Sequence, residues 1–282
     1  MTPVTTSQPG KTSDEVKKAP TRTTVHAILP AYNEAESLPN LLKRFAEMKS
    51  EHPDFDLIIR VVDDGSSDET AKIVRRGHEN LDVRLIEHEQ NAGLGQAMLT
   101  GIERSVTRAE GTDVIIAMDA DDTHDVFLIP KMLKHIDNGA DIAIASRFVE
   151  GGDDRTAPPF RRLLSRGASV VFKTVFPLES INDFTSGYRM YRGSLLKNAY
   201  AHWGDRLIEE NGFACMVELL LKLRHWKPEM REVGMYLQYD RKLSASKLKL
   251  FRTLGQYLKL AFRNALTPAP RKLNYGHSFN IR

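Results

Sequence analysis

Cysteine is nearly missing from this sequence: among 282 residues there is one, Cys215. That excludes an intramolecular disulfide framework and a cysteine-cluster metal site. Long apolar runs are missing too; none approaches the roughly 18 residues that a membrane-spanning helix needs. Residues 1–20 lack the apolar stretch of a secretory signal, so the expected compartment is the cytoplasm. No Walker-type phosphate loop is present. What remains, 41% apolar and 27% charged, is an ordinary globular composition, which excludes collagen-like, coiled-coil and wholly disordered chains. The length suits one large α/β domain or two small ones.

A formal net charge of +3 conceals a segregation. From Asp240 to Arg282 there are ten Lys and Arg and one acid, a net of +9. Residues 1–24 carry +2, which leaves −8 for Val25 to Tyr239. An acidic body with a strongly basic end needs a cause.

Residues 1–24, rich in Thr, Ser, Pro and Lys, read as a disordered tail. Strand-length runs rich in Val and Ile begin at Val25, Leu57, Val83, Val114 and Ile142, with helical spacing between them. This alternation predicts right-handed βαβ units and a mostly parallel sheet flanked by helices. Beyond Ala145 helices are expected at 160–175, 193–201 and 211–225, a strand near 231–239, and a last helix from Ser246 to Asn264. The expected organisation is one α/β domain over 25–240, a basic amphipathic helix over 241–266 and an irregular tail over 267–282.

In open α/β sheets ligands bind beyond the carboxyl ends of the strands. The segments just after the first four strands are Pro30 to Glu34, Asp63 to Thr70, Asn91 to Gly95 and Asp119 to His124. Three of the four deliver carboxylates to one edge, and such clustering costs stability unless a cation or hydrogen-bond donors occupy it. Asp119 and Asp121 flank one small residue, Ala120, and can hold Mg²⁺ or Mn²⁺ together with water and phosphate oxygens. A blander role also exists there: Asp122 or Thr123 could cap the helix starting near Val126. Gly93-Leu94-Gly95 fails as a dinucleotide fingerprint, because the third glycine position is Met98 and the unit is the third rather than the first.

These four motifs, in this order, resemble those of family 2 glycosyltransferases with the GT-A, Rossmann-like fold. Ala145 to Phe148, Arg162 to Arg166, Asp183 to Arg189 and Arg241 to Lys247 are similar to segments of the polyprenyl-phosphate sugar transferases, typified by dolichyl-phosphate mannosyltransferase. The resemblance implies inverting transfer from a nucleotide-diphosphate sugar such as GDP-mannose or a UDP-sugar. It assigns Pro30, Ala31, Tyr32, Glu34, Asp64, Gly93, Asp119 and Ala120 to the nucleotide, and Asp119 and Asp121 to the metal. Thr123 stands where the pattern often has Gln, a shorter and weaker third ligand. Arg147, Ser165, Arg166, Ser186, Arg189, Arg241, Ser246 and Lys247 become candidates for phosphate or acceptor contacts, and guanidinium suits phosphate through its fork of donors. Any one of those arginines could equally be a solvated surface residue.

Catalysis is expected from Asp121, Asp183 and Arg241. A lipid phosphate is already an anion and needs no base, whereas a sugar hydroxyl does. The resemblance places Asp183 where the family often has a base, so it is the candidate base if the acceptor is a hydroxyl, and otherwise positions substrate or braces an arginine.

On a helical wheel Leu250, Phe251, Leu254, Leu258, Ala261 and Phe262 share one side, and Lys249, Arg252, Lys259 and Arg263 another. The helix either packs on the sheet or lies on an anionic membrane. Nucleic acid is not expected as a partner, since no recognised binding motif accompanies the basic residues. The expected function is metal-dependent sugar transfer to a polyprenyl phosphate at the cytoplasmic membrane face. The alternatives are a soluble transferase to a glycan hydroxyl and a binding protein without turnover.

Overall fold

The computed structural model describes residues 22–176, 178, 181–241 and 250–266. The expectations for residues 1–21 and 267–282, and for Ser246 and Lys247, lie outside the described residues. The strands are β1 (Thr24–Ala31), β2 (Asp56–Asp63), β3 (Asp82–Glu87), β4 (Val114–Ala117), β5 (Ile142–Ser146), β6 (Arg189–Arg192) and β7 (Met230–Gly234). The helices are α1 (Leu38–Glu51), α2 (Thr70–Arg76), α3 (Leu94–Val106), α4 (Ile129–Asp137), α5 (Pro159–Val175), α6 (Gly193–Trp203), α7 (Cys215–Leu223) and α8 (Leu250–Leu266). Pro39, Pro130 and Pro159 sit in the first turns of α1, α4 and α5, where a missing N–H leaves no helical bond unmade.

The described strands form one sheet in the order β3-β2-β1-β4-β6-β5-β7. Every neighbouring pair is parallel except those of β6, which runs antiparallel to both β4 and β5. The five expected apolar runs are β1 to β5. In the second half the expected strand is shorter, ending at Gly234, and the helix expected from 211 starts at Cys215. In register, Ala31 lies beside Asp63, which lies beside Glu87. The segments that follow β1, β2 and β3 therefore leave from one edge.

Side chains of β1 alternate between two cores, as the pleat requires. Val25, Ala27 and Leu29 join Phe45, Met48 and Met132 on the α1 and α4 side. Ile28 joins Met98, Ile102 and Leu195 on the other. Every residue of α7 is buried, and each buried Leu contributes about 1.5–3 kcal/mol. Cys215 packs there as expected, and burial pushes its thiol pKa up, which keeps it protonated and inert.

The C-terminal helix α8 does more than either expectation allowed. Tyr257, Leu260 and Ala261 are buried against the core, with Tyr257 meeting Phe172 edge-on at 5.6 Å. Leu258 and Phe262 instead stay 57% and 71% exposed, so the wheel's apolar side is split between protein and solvent.

His26 of β1 is buried between two charged partners. Its Nδ1 lies 2.7 Å from the Arg60 guanidinium, which can only donate, so Nδ1 accepts. Nε2 then carries the proton and faces Asp113 at 3.3 Å. Burial, reinforced by the Arg60 charge, lowers the His26 pKa below its ordinary 6.5. A histidine held neutral in this way contributes stability above the unfolded value that is lost as pH falls from there towards the folded value. We expect the urea midpoint to drop between about pH 7.5 and 5.5, and His26→Asn to flatten that drop; an equal drop in the variant would refute it.

Candidate active site

Three loops at the edge of β1, β2 and β3 are stitched together. The Asn33 amide donates to Ser66 Oγ at 2.9 Å, Glu34 N to Thr70 Oγ1 at 2.9 Å and Ala35 N to Asp68 at 3.1 Å. This fixes Pro30 to Glu34 beside the segment after β2. Asp64 is 3% exposed, and its carboxylate accepts from Ala92 N at 2.9 Å, Gly93 N at 2.8 Å and His88 Nδ1 at 2.7 Å. Asp64, expected to hold the nucleotide, braces the Gly93 loop that completes this shelf.

Gly93 and Gly95 admit a second chain segment. Gly93 has φ of +98°, and a Cβ on it would lie 2.6 Å from the Asn211 carbonyl oxygen. One on Gly95 would lie 1.9 Å from the Glu210 oxygen, so neither position accepts a side chain without displacing backbone.

After β4, Asp119 and Asp121 enter a pocket also lined by Thr123, His124, Arg147 and Asp154. Asp119 is 34% exposed along its side chain. Its backbone N–H donates to His124 Nδ1 at 3.2 Å, so the proton of His124 is on Nε2, 3.9 Å from the Asp119 carboxylate. Tyr188 stacks on the same imidazole at 4.9 Å. Asp121 accepts from Thr123 Oγ1 at 2.7 Å. Asp122 turns away: with φ of +59° it sits in the left-handed region and takes Arg44 at 2.7 Å and Asn40. Such a conformation costs roughly 1–3 kcal/mol and is held by its surroundings. The helix cap expected of Asp122 or Thr123 belongs to Asp125, whose carboxylate accepts from Phe127 N at 3.2 Å.

These residues fit a hard divalent cation. Among the described residues no three His, Cys, Asp or Glu converge. The protein thus offers the carboxylates of Asp119 and Asp121, with Thr123 beside them, and leaves other positions to phosphate oxygens and water.

The same pocket also holds cationic side chains. Arg147, Arg161 and Arg162 line it with Ser165, Thr185 and Ser186. Asp183 is fully buried and does not line the pocket among the described residues. Both its oxygens are taken by Arg147, at 2.8 Å from Nε and 2.8 Å from NH2, with Thr185 and Ser186 amides adding to one of them. Burial alone would raise the Asp183 carboxyl; the charge and hydrogen bonds of Arg147 outweigh it and hold the pKa low. Of the two roles open to Asp183, base or brace, this geometry favours the brace over a catalytic group: it is a positioning residue for Arg147.

Arg189 is a second correction. It is fully buried, and its guanidinium donates to the carbonyls of Met216 and Phe184 at 2.6 Å each, so it supports the pocket floor and reaches no phosphate. Arg166 lies outside the pocket lining, paired with Asp154 at 2.8 Å. Ser186 lines it, but its hydroxyl donates to Ala145 O at 2.6 Å. Arg241 is exposed in the turn Tyr239–Arg241, next to a segment outside the described residues. Arg161, absent from the expected set, donates to Tyr239 Oη at 3.0 Å and stands over that ring.

Residues 26–199 match the family described as Glycosyl transferase family 2. The chain belongs to that family. This family 2 glycosyltransferase is 33% identical over 242 residues to a dolichol-phosphate mannosyltransferase of Pyrococcus furiosus, covering 85% of this chain and 63% of the relative. The chain thus spans less than two thirds of that relative's length. It is 32% identical to an undecaprenyl-phosphate mannosyltransferase of Micrococcus luteus, over 79% of this chain and 87% of the relative. Among solved structures, glucosyl-3-phosphoglycerate synthase of Mycobacterium tuberculosis, in complex with Mn²⁺ and UDP, matches with a TM-score of 0.60 at 17% identity, covering 88% of this chain and 81% of that one. That likeness shows the GT-A fold alone.

Proposed function

We propose that this family 2 glycosyltransferase moves a sugar from a nucleotide-diphosphate sugar onto a polyprenyl phosphate. The observation that carries this is the double face of α5. Arg161, Arg162 and Ser165 face the pocket that holds Asp119 and Asp121. Phe160, Leu163, Leu164 and Val171 of the same helix line an apolar groove closed by Tyr257 and Leu258 of α8. One helix thus offers cations to a phosphate and a groove to a hydrocarbon tail. The mannosyltransferase relatives are named for prenol-phosphate acceptors, which supports the reading. A soluble acceptor would leave that groove, with Leu163 68% exposed, facing water.

On this reading the shelf of Pro30, Tyr32, Glu34 and Gly93 receives the nucleotide. The acceptor phosphate, held by Arg147 and Arg161, attacks the anomeric carbon; a new C–O bond forms on the face opposite the departing nucleoside diphosphate, inverting that centre. The phosphate is already ionised, so no base is required. Asp119 and Asp121 would hold Mg²⁺ or Mn²⁺, which when bound neutralises charge developing on the diphosphate. The exposed Leu258 and Phe262, with Lys259 between them, seat the enzyme peripherally on an anionic lipid surface; among the described residues no helix is long and apolar enough to cross a membrane.

The test is a screen of nucleotide sugars with a divalent metal, scored by nucleotide release. Release with polyprenyl phosphate supports the proposal; release with 3-phosphoglycerate alone overturns it. Leu163→Ser with Phe160→Ser should raise KM for a long-chain prenyl phosphate by about tenfold and leave a phosphate acceptor with no tail to enter the groove unaffected. Equal losses on both acceptors would count against the groove.

A further inference from the structure

α8 is separated in sequence from the donor loop, yet a continuous set of contacts joins them. Arg263 NH2 lies 2.8 Å from Glu218 Oε1, and Glu218 is fully buried. The other Glu218 oxygen accepts the backbone amides of Glu209 and Glu210, at 2.9 and 2.8 Å. Gln256 Nε2 donates to Glu210 at 3.3 Å, and a Cβ on Gly212 would lie 2.9 Å from the Gln256 side-chain oxygen. Two α8 side chains therefore fix the backbone of residues 209–212 from one side.

From its other side that backbone meets the donor loop. Gly95 N donates to the Asn211 carbonyl at 3.2 Å. Gly93 and Gly95 lack side chains at the points where the 210–211 carbonyls press in. With Asp64 holding the Ala92 and Gly93 amides, this loop is clamped between β2 and the 209–212 segment. The same segment runs on into Phe213 and Met216, which line the pocket.

We propose that Arg263 and Gln256 of α8 are positioning residues for the donor loop, so that the helix carrying the exposed Leu258 and Phe262 also stiffens the nucleotide shelf. This rests on the reading of Gly93 and its neighbours as donor-binding. Neither side chain touches the nucleotide; both act through Glu210, Glu218 and the backbone between them. Lys222 also reaches Glu218, at 3.0 Å, so loss of Arg263 leaves the buried carboxylate with a cation and the fold intact.

The experiment compares wild type with Arg263→Met, Arg263→Lys and Gln256→Ala in the full chain. Amide exchange is followed at residues 91–98, and GDP and UDP are titrated in the presence of Mg²⁺. Arg263→Met should speed exchange at 91–98 without changing it in β1, and should weaken binding of the preferred nucleotide by about 3- to 10-fold. KM for polyprenyl phosphate should stay unchanged, and Arg263→Lys should recover part of the loss. Unchanged exchange at 91–98 overturns the proposal, as does a raised acceptor KM with nucleotide affinity intact. Wild type binding neither nucleotide would instead refute the donor reading, while the exchange measurement still decides the coupling.

Discussion

Asp121→Asn lowers turnover by about a thousandfold or more while leaving the thermal midpoint within a few degrees of wild type. The amide keeps the size of the carboxylate and an oxygen for the Thr123 hydroxyl, which now lies 2.7 Å away. What it removes is charge, and charge is what a divalent cation and a departing diphosphate both require. Mn²⁺ binding, followed by paramagnetic resonance, should weaken in step with turnover. Asp122→Asn provides the contrast, because its partner is the buried Arg44 rather than the pocket. It should cost stability and leave the metal response largely in place. Near-normal turnover of Asp121→Asn with an unchanged metal response would remove Asp121 from the metal site.

Arg147→Met destabilises the fold by about 3–5 kcal/mol, because it strands a fully buried carboxylate. Asp183 has no exposure, and the variant removes its two guanidinium donors, Nε and NH2, with their charge, and keeps only backbone N–H and hydroxyl donors around it. The stranded acid has to take up a proton, so the variant should bind one on folding near neutral pH. Adding Asp183→Asn should restore most of the stability and none of the turnover, since the guanidinium proposed to hold the acceptor phosphate is still missing. In wild type the lowered Asp183 pKa contributes to the loss of stability in acid. Its contribution is complete above the unfolded carboxyl value and is lost as pH falls through the folded one. Asp183→Asn alone should therefore soften acid unfolding, measured by urea midpoints across the acid range. A double variant with restored stability and restored turnover would show that Arg147 serves the fold only.

The contrast between Asp121 and Asp183 shows what the sequence could and could not disclose. Asp121 follows an apolar strand, and a strand's end in a parallel sheet has a known destination. The five apolar runs from Val25 to Ala145 carried that information, and the edge they build lies where periodicity placed it. β6 left no comparable trace. Its four residues, Arg-Met-Tyr-Arg, have charge at both ends and no apolar run, and they form a strand because β4 and β5 leave room between them. Since β6 runs the opposite way, the residues before it, Asp183 to Gly187, join residues that come after the other strands. Asp183 was thus found near the site, but its depth depends on packing that no motif encodes. The same holds for Arg189, whose partners are two backbone carbonyls far apart in the chain. Arg161 was within reach of a closer reading, because it precedes Ser165 by one helical turn and so shares its face.

The groove along α5 can also be regarded as a ruler. From Phe160 to Val171 the helix rises about 17 Å. The proposed prenyl tail, laid along it, would contact protein over a few isoprene units, and every unit beyond would lie outside the groove. On the proposed acceptor, discrimination should then rest on the units that fill the groove, including their saturation and double-bond geometry, and be indifferent to tail length beyond them. Lipid carriers differing only at their far ends would be interchangeable to it.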